Sequence, residues 1–564
     1  MCGIFFLLNN QTYTEDVIKG QFMKGHGRGP EHSSLTKIGS HAILGFHRLA
    51  INGLNPESNQ PIQLDNLTLI CNGEIYNYKH LYDELDITPN CDSDCEVILH
   101  LYKRFGIERT LQLLDGVFAF VLIDYNIEAD HATTYIARDP FGVRPLYQLS
   151  GPSSFYGFAS ELKYLSEFDG KIEHILPGTY STFHFSYKVS SEWILNNMSQ
   201  RYHIPSIIMA SYDTNFEYSC EMYKYKPIIC NSLCEAVEKR CSTTERPIAC
   251  LLSGGLDSSL ITALVANYHK RNGLPIIETY SIGLEGSVDL HYAKIVADYL
   301  GTKHTEIVLS ESDFLSAIPE VIKTIESYDT TSVRASIGNY LLGKYIREHS
   351  EAKVIFNGDG SDELTGGYLY FHKAPNIIEF DIECRRLLSH IYLFDVLRSD
   401  KSISSHGLEP RTPFLDRGFV QTYLAIPAKV RCHSIHGMCE KHLLRFAFHD
   451  FCGVDGKPLL PNDILWRTKE AFSDGVSKES RSLYEIIQEH INMTFVENPK
   501  KKYTCNSPKT IEQEYYRWIF ESYYPDRGSI VPYMWMPRFI EGATDASART
   551  LAIYKEFHSE SLSL

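Results

Sequence analysis

Residues 248–260 read IACLLSGGLDSSL, and this stretch decides the fold of the larger part of the chain. An apolar run of strand length at 248–252 passes into a turn with two glycines, and a helical segment at 258–270 begins directly after it. The same order returns with an apolar run at 278–282 and a helical pattern at 290–300. Strands that alternate with helices predict a doubly wound, mostly parallel sheet with helices on its faces.

The part of the chain before this region has a different pattern. Short β-rich segments separated by turns occur at 42–46, 68–71 and 117–124. They predict stacked antiparallel sheets flanked by helices, so the chain is expected to combine an α+β half with an α/β half. A length of 564 residues is enough for two domains with separate hydrophobic cores.

Domain boundaries follow from this change of pattern and from a stretch without clean periodicity between the two halves. Residues 187–225 include polar runs such as NNMSQ at 196–200, which are typical of a connection between domains. The predicted divisions are an N-terminal domain at 1–190, a linker at 191–225, a C-terminal domain at 226–540 and a tail at 541–564.

Composition and charge exclude several classes of protein. A formal net charge of -16 argues against a general binder of nucleic acid backbones. The 14 cysteines are scattered rather than spaced as a secreted disulfide framework, which indicates reduced thiols and a cytoplasmic location. The opening run MCGIFFLLNN lacks a basic leader and is too short to span a bilayer, so it predicts a buried strand and no membrane association.

Cys2 stands directly behind the initiator Met1. Removal of Met1 would leave a thiol and a free α-amine on the same residue, which together form a nucleophile and a base. The unperturbed pKa of an α-amine is about 7.7 to 8.0, so this group can take the thiol proton near neutral pH. The pair predicts a catalytic cysteine that needs no histidine.

Three further segments strengthen this interpretation. They read RGPE at 28–31, HRLAI at 47–51 and NGEIYN at 72–77, and together with Cys2 they resemble the class II glutamine amidotransferase domain, an N-terminal-nucleophile fold. One departure is visible, because residues 26–30 read His-Gly-Arg-Gly-Pro where that family has His-Arg-Gly-Pro. We interpret Gly27 as an extra loop residue.

The resemblance implies roles for individual side chains. Arg48 would bind the α-carboxylate of glutamine, Asp94 its α-ammonium group, and Glu74 would contact the same end of the substrate. Asn72 and the backbone N–H of Gly73 would form the oxyanion hole. The implied glutamine-binding set is Arg48, Leu49, Ala50, Ile51, Asn52, Asn72, Gly73, Glu74 and Asp94.

The SGGLDSS loop at 253–259 suits phosphate binding. Glycines let the backbone approach an anion closely, and the N-H groups at the start of a helix supply positive potential. No Gly-Lys-Ser/Thr follows, so this is not a Walker A loop. It resembles the pyrophosphate loop of ATP pyrophosphatases. The ATP-binding set implied is Leu252, Ser253, Gly254, Gly255, Asp257, Ser258, Ile282, Asn357 and Gly358.

Residues 354–368 read VIFNGDGSDELTGGY, in which a short apolar run passes into an acidic, glycine-rich turn. Asp257 and Asp362 offer the carboxylate oxygens that Mg²⁺ prefers, so we predict a magnesium site there. The usual family motif is Ser-Gly-Glu-Gly-Ser/Ala-Asp-Glu, and Asn357 and Asp359 replace its first serine and first glutamate. The resemblance gives that glutamate a part in adenylate formation and in ammonia attack.

Segments 325–337, 408–416 and 465–476 resemble the signature stretches of glutamine-hydrolysing asparagine synthetases. The resemblance implies synthesis of asparagine from aspartate, glutamine and ATP through a β-aspartyl adenylate, with ammonia passed between domains. ATP is then a substrate, and a homodimer is a family-level expectation. Cys2, Asn72, Gly73 and Asp359 would be catalytic. Arg334 and Lys469 would join them by neutralising pyrophosphate and transition-state charge.

Other amidotransferases and a non-enzymatic reading remain as alternatives. Hexosamine-phosphate synthases and phosphoribosyl amidotransferases lack the SGGLDSS loop, and a β-lactam synthetase should lack an intact glutaminase set. A degenerate paralogue that binds or regulates without turnover is the remaining alternative. Asn357 and Asp359 are its only support, since Cys2, Asp257 and Asp362 are intact.

Overall fold

The computed structural model describes residues 1–39, 41–126, 131–186, 188, 190–204, 217–467, 475–478, 481–496, 503–543, 545 and 547. The chain divides into two compact units. The first comprises Met1–Ile204, Thr243–Pro247 and Ile403–Glu409. The second comprises Pro205–Ser242, Ile248–Ser402 and Pro410–Leu564.

The first unit is built mainly from β-strands. Its strands are β1 (Gly3–Leu8), β2 (His32–Ile38), β3 (Ala42–Arg48), β4 (Ile62–Leu64), β5 (Leu67–Ile75), β6 (Gly116–Asn126), β7 (His131–Arg138), β8 (Tyr147–Ser150), β9 (Tyr156–Ala159), β10 (Lys171–His174), β11 (Thr179–Ser186) and β12 (Ser190–Arg201). Its helices are α1 (Glu15–Met23), α2 (Tyr78–Leu85) and α3 (Val97–Leu113).

Two antiparallel sheets of six strands form the centre of this unit. One has the order β10-β8-β9-β1-β3-β2 and the other the order β12-β11-β7-β6-β5-β4. The alternation of β6 explains the layering. Ala119 and Val121 pack in a core shared with Ile4 and Phe6 of β1, whereas the residues between them face the core formed with α2 and α3. This confirms the predicted stacked sheets flanked by helices.

The second unit alternates strands with helices. Its strands are β13 (Ile248–Leu251), β14 (Glu278–Leu284), β15 (Lys303–Leu309), β16 (Val354–Phe356) and β17 (Glu409–Arg411). Its helices are α4 (Tyr218–Ser242), α5 (Leu256–Arg271), α6 (Val288–Leu300), α7 (Glu311–Ile325), α8 (Thr330–His349), α9 (Ser361–Thr365), α10 (Ile377–His390), α11 (Asp395–Ser404), α12 (Arg417–Ala425), α13 (Ala428–Arg431), α14 (His442–Phe448), α15 (Asn462–Leu465), α16 (Leu483–Thr494) and α17 (Ile511–Tyr523).

The strand order of the second sheet is β15-β14-β13-β16-β17. The pairs β13–β14, β14–β15 and β13–β16 are parallel, as the sequence predicts. The chain moves outward from β13 through β14 to β15 and then returns to the other side of β13 with β16. The carboxyl ends of β13 and β16 therefore lie side by side at a topological switch point, where ligands of such sheets bind.

The connection between the two halves differs in part from the prediction. Strand β12 occupies residues 191–201 of the predicted linker because it pairs along β11, with bulges that break its periodicity. Residues 205–216 lie outside the described residues, and the domain bounds stay a prediction. Within the described ranges, no helix combines the length and apolar character that crossing a membrane requires.

Candidate active sites

Cys2 lies at the start of β1 with its thiol 3.6 Å from the Leu49 carbonyl oxygen. Arg28 Nε donates a hydrogen bond of 2.9 Å to the Cys2 carbonyl oxygen. Met1 is buried, and its α-amine donates to the Leu408 carbonyl oxygen at 3.4 Å. Burial lowers the pKa of this amine to about 6 and raises the pKa of the Cys2 thiol. The nitrogen of Cys2 becomes a free base only once Met1 is removed.

The turn at His26–Arg28 carries the extra residue that the sequence shows beside the family pattern. Its last residue, Arg28, is buried and pairs with Glu161 at 3.4 Å. A Cβ atom on Gly27 would stand 2.9 Å from the carbonyl oxygen of Ser405. The extra loop residue therefore has to be small, and the turn still delivers Arg28 to the backbone of Cys2.

Arg48 ends strand β3 and is held by a loop that follows it. Its Nη1 donates to the Asn55 carbonyl oxygen at 3.0 Å and to Asn59 Oδ1 at 2.7 Å. Its Nη2 donates to the carbonyl oxygens of Asn52, at 3.3 Å, and Gly53. All of these acceptors are neutral, so they orient the guanidinium without pairing it with a negative charge.

Asn72 and Gly73 lie next to each other on β5. Asn72 is fully buried, and its Nδ2 donates to Ser160 Oγ in a long hydrogen bond of 3.4 Å. A Cβ atom on Gly73 would come within 2.5 Å of the Val117 carbonyl oxygen on β6, so the close approach of the neighbouring strand requires glycine. The two predicted oxyanion donors are thus fixed by the sheet.

The remaining predicted glutamine-binding residues are also buried. Glu74 Oε2 accepts a hydrogen bond of 2.7 Å from Asn52 Nδ2, and Asp94 Oδ2 accepts one of 2.7 Å from the Ile75 N–H. The apolar or small members of the set are Leu49, Ala50 and Ile51. The two carboxylates therefore sit on β5 and in the turn packed against it, beside the predicted oxyanion donors.

In the second unit a pocket opens at the switch point of the sheet. Of the residues predicted to bind ATP or magnesium, or to act as the catalytic carboxylate, those that line it are Leu252, Ser253, Gly255, Asp257, Ser258, Ile282, Asn357, Gly358, Asp359 and Asp362. Gly254 lies in the same loop but is not part of the lining. The loops after β13 and β16 thus supply one pocket, as the topology requires.

Close backbone contacts explain two of the glycines. Gly254 has a φ of +72°, and a Cβ atom there would lie 2.5 Å from the Ala293 nitrogen on α6. A Cβ atom on Gly358 would lie 2.8 Å from Asp257 and from the nitrogen of Ser258. Any larger residue would push apart the loops that meet at the pocket.

Hydroxyl groups surround the start of helix α5. Ser253 Oγ lies 3.0 Å from Ser258 Oγ, and Ser258 Oγ donates to the Gly255 carbonyl oxygen at 3.3 Å. Gly255 precedes the first residue of this 16-residue helix without a side-chain cap. Backbone N–H groups, the helix dipole and two hydroxyls therefore converge, and this combination suits an anion such as phosphate.

The pocket holds a lysine between its two predicted metal ligands. Lys441 Nζ lies 2.5 Å from Asp257 Oδ2 and 2.6 Å from Asp362 Oδ1. These two carboxylate oxygens are therefore within about 5 Å of each other. Lys441 is buried, so both carboxylates face a cation inside the pocket wall.

Asp359 also pairs with a cation. Arg398 Nη2 lies 3.3 Å from Asp359 Oδ1 and 2.6 Å from Asp395 Oδ1. All three side chains line the pocket. Burial raises the pKa of Asp359, and the positive charge of Arg398 opposes this rise.

Arg334 takes a different position from the other predicted residues. One face of α8 contributes to the pocket through Thr331, Ala335, Asn339 and Leu342. Arg334 is absent from that lining and forms two-pronged ion pairs with Glu512, at 2.9 and 2.5 Å, and with Asp545, at 2.8 and 2.7 Å. The structure therefore does not bring Arg334 to the phosphate loop. Lys469 lies outside the described residues.

Sequence reasoning missed several charged residues of the pocket. Lys441, Asp395 and Arg398 come from stretches that match no motif, and only their place in the fold reveals them. Arg467 belongs to the signature stretch at 465–476 and could have been found there. It lies 3.3 Å from Asp289, with its guanidinium 4.0 Å from the ring centre of Tyr292.

Comparisons with known proteins agree with this arrangement. The family model of the glutamine amidotransferase domain matches residues 1–208, and the asparagine synthase model matches residues 229–384 and 378–520. A solved amidotransferase, the glutamine phosphoribosylpyrophosphate amidotransferase from B. subtilis, is 19% identical and covers 49% of this chain and 65% of its own. Its TM-score of 0.29 is too low to carry an argument.

Full-length relatives decide the family. Asparagine synthetase [glutamine-hydrolyzing] from Gallus gallus is 41% identical, and the enzyme of that name from Homo sapiens is 39% identical. Each alignment covers 98% of this chain and 99% of the relative. Both family models match in order, and the relatives carry both domains, so the chain belongs to the family of glutamine-hydrolysing asparagine synthetases.

Proposed function

We propose that this chain converts L-aspartate, L-glutamine, ATP and water to L-asparagine, L-glutamate, AMP and diphosphate. The observation that carries the proposal is the presence of two candidate sites in one chain. One places the partly buried Cys2 near the predicted oxyanion donors, and the other is a pocket that the predicted ATP-binding residues line at a sheet switch point. Full-length relatives with both domains are named for this activity.

The first half of the reaction releases ammonia from glutamine. After removal of Met1, the α-amine of Cys2 accepts the thiol proton, and the thiolate attacks the amide carbonyl carbon. Asn72 Nδ2 and the Gly73 N–H stabilise the oxyanion, and ammonia leaves with the proton held by the α-amine. Water then attacks the thioester and releases glutamate, which restores the thiol.

Glutamine is held by charges at its amino-acid end. Arg48 binds the α-carboxylate, Asp94 binds the α-ammonium group, and Glu74 contacts the same end. The neutral acceptors around Arg48 support this role, because they orient the guanidinium without cancelling its charge. The Leu49 carbonyl oxygen lies beside the Cys2 thiol, at 3.6 Å.

ATP occupies the pocket of the second unit. Leu252, Ile282 and the backbone at 357–358 enclose the adenosine, and the loop at 253–258 holds the phosphates. Asp257 and Asp362 fit a Mg²⁺ ion, because their oxygens converge within about 5 Å on a cationic group. Among the described residues no group of three side-chain ligands occurs, so phosphate and water oxygens would complete its shell. When bound, the ion neutralises phosphate charge.

The second half of the reaction activates aspartate. Its β-carboxylate oxygen attacks the α-phosphorus, and diphosphate leaves with the electrons of the P–O bond. Ammonia then attacks the β-carbonyl carbon of the adenylate, AMP leaves with the C–O electrons, and Asp359 receives a proton from the nitrogen. The raised pKa of Asp359 supports this proton transfer.

Arg334 and Lys469 would neutralise the pyrophosphate charge. For Arg334 this role requires a change of partners, because two carboxylates hold it in the present structure. Ammonia would pass from the first site to the second without equilibrating with water, because ammonium has no lone pair for attack. The degenerate-paralogue alternative finds no support in the Gallus gallus and Homo sapiens relatives, both of which carry the enzyme name.

We further propose a cytoplasmic homodimer. All 14 cysteines are free thiols, which supports a reducing compartment. The dimer rests on the family expectation alone. Size-exclusion chromatography with light scattering on the purified chain measures its mass, and a mass near 64.4 kDa at all concentrations would contradict the dimer.

The test of the reaction is product stoichiometry. The purified chain, with removal of Met1 checked by intact mass, is given glutamine, aspartate and Mg-ATP. We expect asparagine, AMP and diphosphate in equal amounts, and synthesis that continues when ammonium chloride replaces glutamine. Formation of ADP, or no asparagine from either nitrogen source, would rule the proposed reaction out.

A further inference from the structure

The two departures from the family motif contact the same helix. Asn357 Nδ2 donates to Ser399 Oγ on α11 at 2.7 Å, and Asn357 Oδ1 accepts the Asp359 N–H at 3.3 Å. Asp359 in turn pairs with Arg398, the neighbour of Ser399 on α11, at 3.3 Å. The replaced residues therefore form one connected set with α11.

Arg398 bridges two carboxylates at the pocket wall. Its Nη2 reaches Asp359 Oδ1 and Asp395 Oδ1, and its Nε donates to Asp395 at 3.2 Å. The side chains of Arg398, Asp395 and Asp359 are 14%, 15% and 17% exposed, so all three are largely buried in the pocket wall. Asp395 fixes the guanidinium, and the guanidinium then fixes Asp359.

We propose that Arg398 is a positioning residue that holds the short Asp359 carboxylate where the family has a longer glutamate. Asp359 is shorter than glutamate by one methylene, and a displacement of about 1 Å at a reacting group can lower a rate by about 100-fold. Arg398 binds Oδ1, and the buried Oδ2 has no hydrogen-bond partner among the described residues. The inference rests on the proposed function, because it concerns the amide-forming step at Asp359.

Other cations of the pocket do not offer this role. Lys441 contacts Asp257 and Asp362, Arg467 contacts Asp289, and Arg445 contacts Glu440. Only Arg398 forms an ion pair with Asp359 among the described residues. In the step itself the nitrogen–carbon bond forms, AMP leaves with the C–O electrons, and the proton from nitrogen moves to Asp359. Arg398 acts on this step through Asp359.

The test is a double-mutant cycle on ammonia-dependent asparagine synthesis. Arg398→Gln in the unaltered chain should lower kcat by about 100-fold. The KM for ATP should change little, because the phosphate loop is not touched. Asp359→Glu restores the side-chain length of the family. In that background the fall in kcat caused by Arg398→Gln should be at least about ten-fold smaller than in the unaltered chain. Equal losses in the two backgrounds would overturn the positioning role.

The pH profile separates positioning from a general structural effect. Asp359 faces Arg398, Ser399 and Asp395 from α11, and Asp362 and Glu363 lie in its own loop and helix. Arg398→Gln removes the positive charge beside Asp359. The acid limb of the pH profile of kcat should therefore move to higher pH. Arg398→Lys keeps the charge but not the fork, so kcat should fall while the limb stays in place. An unchanged limb in Arg398→Gln contradicts the inference.

Arg481 provides a matched control, because it also bridges two carboxylates in the second unit but lies away from the pocket. Arg481→Gln should keep both kcat and the pH profile. If Arg398→Gln fails to fold, Arg398→Lys in the two backgrounds completes the same cycle. Absence of asparagine in the unaltered chain would defeat the proposed function, whereas synthesis with an additive cycle would defeat only the positioning role.

Discussion

Arg48 in the first unit and Lys441 in the second hold their charges in opposite ways. Arg48 donates to three backbone carbonyls and one amide oxygen, all of them neutral. Lys441 lies between Asp257 and Asp362, both of them anionic. The first arrangement orients a cation and keeps its charge available, and the second cancels it with carboxylates.

The difference follows from the two folds. In the first unit the residues of the site come from sheet strands and from the loops beside them, so backbone groups are close enough to hold them. In the second unit they come from helices and loops far apart in sequence, and side chains must hold each other. We infer that the glutamine site depends on backbone geometry, whereas the ATP site depends on a balance of charges that its ligands complete.

The largest expected effect tests whether the two sites are chemically independent. Cys2→Ala removes the nucleophile, so glutamine-supported synthesis should fall by roughly a million-fold, the scale for loss of a catalytic nucleophile. Ammonia-supported synthesis should keep the unaltered rate, since no residue of the second unit is changed. Parallel assays with glutamine and with ammonium chloride measure both. Cys91→Ala is the control. A comparable loss of synthesis with both nitrogen sources in Cys2→Ala would contradict the chemical independence of the two sites.

A buried ion pair of the second unit should matter most for its stability. Glu326 and Lys401 are both fully buried and pair with each other. Glu326→Gln removes the anion that pairs with Lys401, so the free energy of unfolding should fall by about 3 to 5 kcal/mol. Urea denaturation measures it. The exposed pair Lys294–Asp298 is the control, where Asp298→Asn should cost less than about 1 kcal/mol. Equally small losses of unfolding free energy in Glu326→Gln and Asp298→Asn would contradict the proposed importance of the buried pair for stability.

The sequence predicts the sheets and most residues of the two candidate sites. It predicts few of the charged residues that pair with them. Strand β13 and helix α5 match the predicted 248–252 and 258–270 within two residues, because apolar periodicity and glycine turns are local signals. Lys441 and Arg398 reach the pocket only through the packing of helices far along the chain, and no local pattern marks them. The ion pairs of Arg334 with Glu512 and Asp545 are equally invisible in the sequence.

A smaller effect tests the backbone-held site. Asn72→Ala removes one of two oxyanion donors, so glutaminase kcat should fall by about 100- to 1000-fold, or roughly 2.7 to 4 kcal/mol. The KM for glutamine should change little, because Arg48 and Asp94 bind the other end of the substrate. Steady-state glutaminase assays measure both constants. Asn66→Ala, at an exposed position of the same unit, should have no effect, and a rise in KM alone would show a binding role instead.

The smallest effect compares a buried histidine in each unit. His47 stacks on Phe22 and contacts its carbonyl oxygen, with 2.9 Å from Nε2, whereas His433 packs against the rings of His372 and Phe380. Burial lowers the pKa of His47 to about 4 and that of His433 to about 3. In the unfolded chain each has a pKa of about 6.5. The unfolded state therefore binds more protons below pH 6.5.

Both histidines stabilise their units fully above about pH 6.5, and this contribution is lost as the pH falls toward the folded pKa. Lowering the pH from 7 to 5 should remove about 2 kcal/mol per histidine, and His47→Gln or His433→Gln should each abolish this loss in its own unit. Hydrogen exchange measured residue by residue separates the units, so each variant serves as the control for the other. If one variant removed the pH-dependent loss of stability in both units, the two units would unfold together. The two sites would then have the same free energy of unfolding.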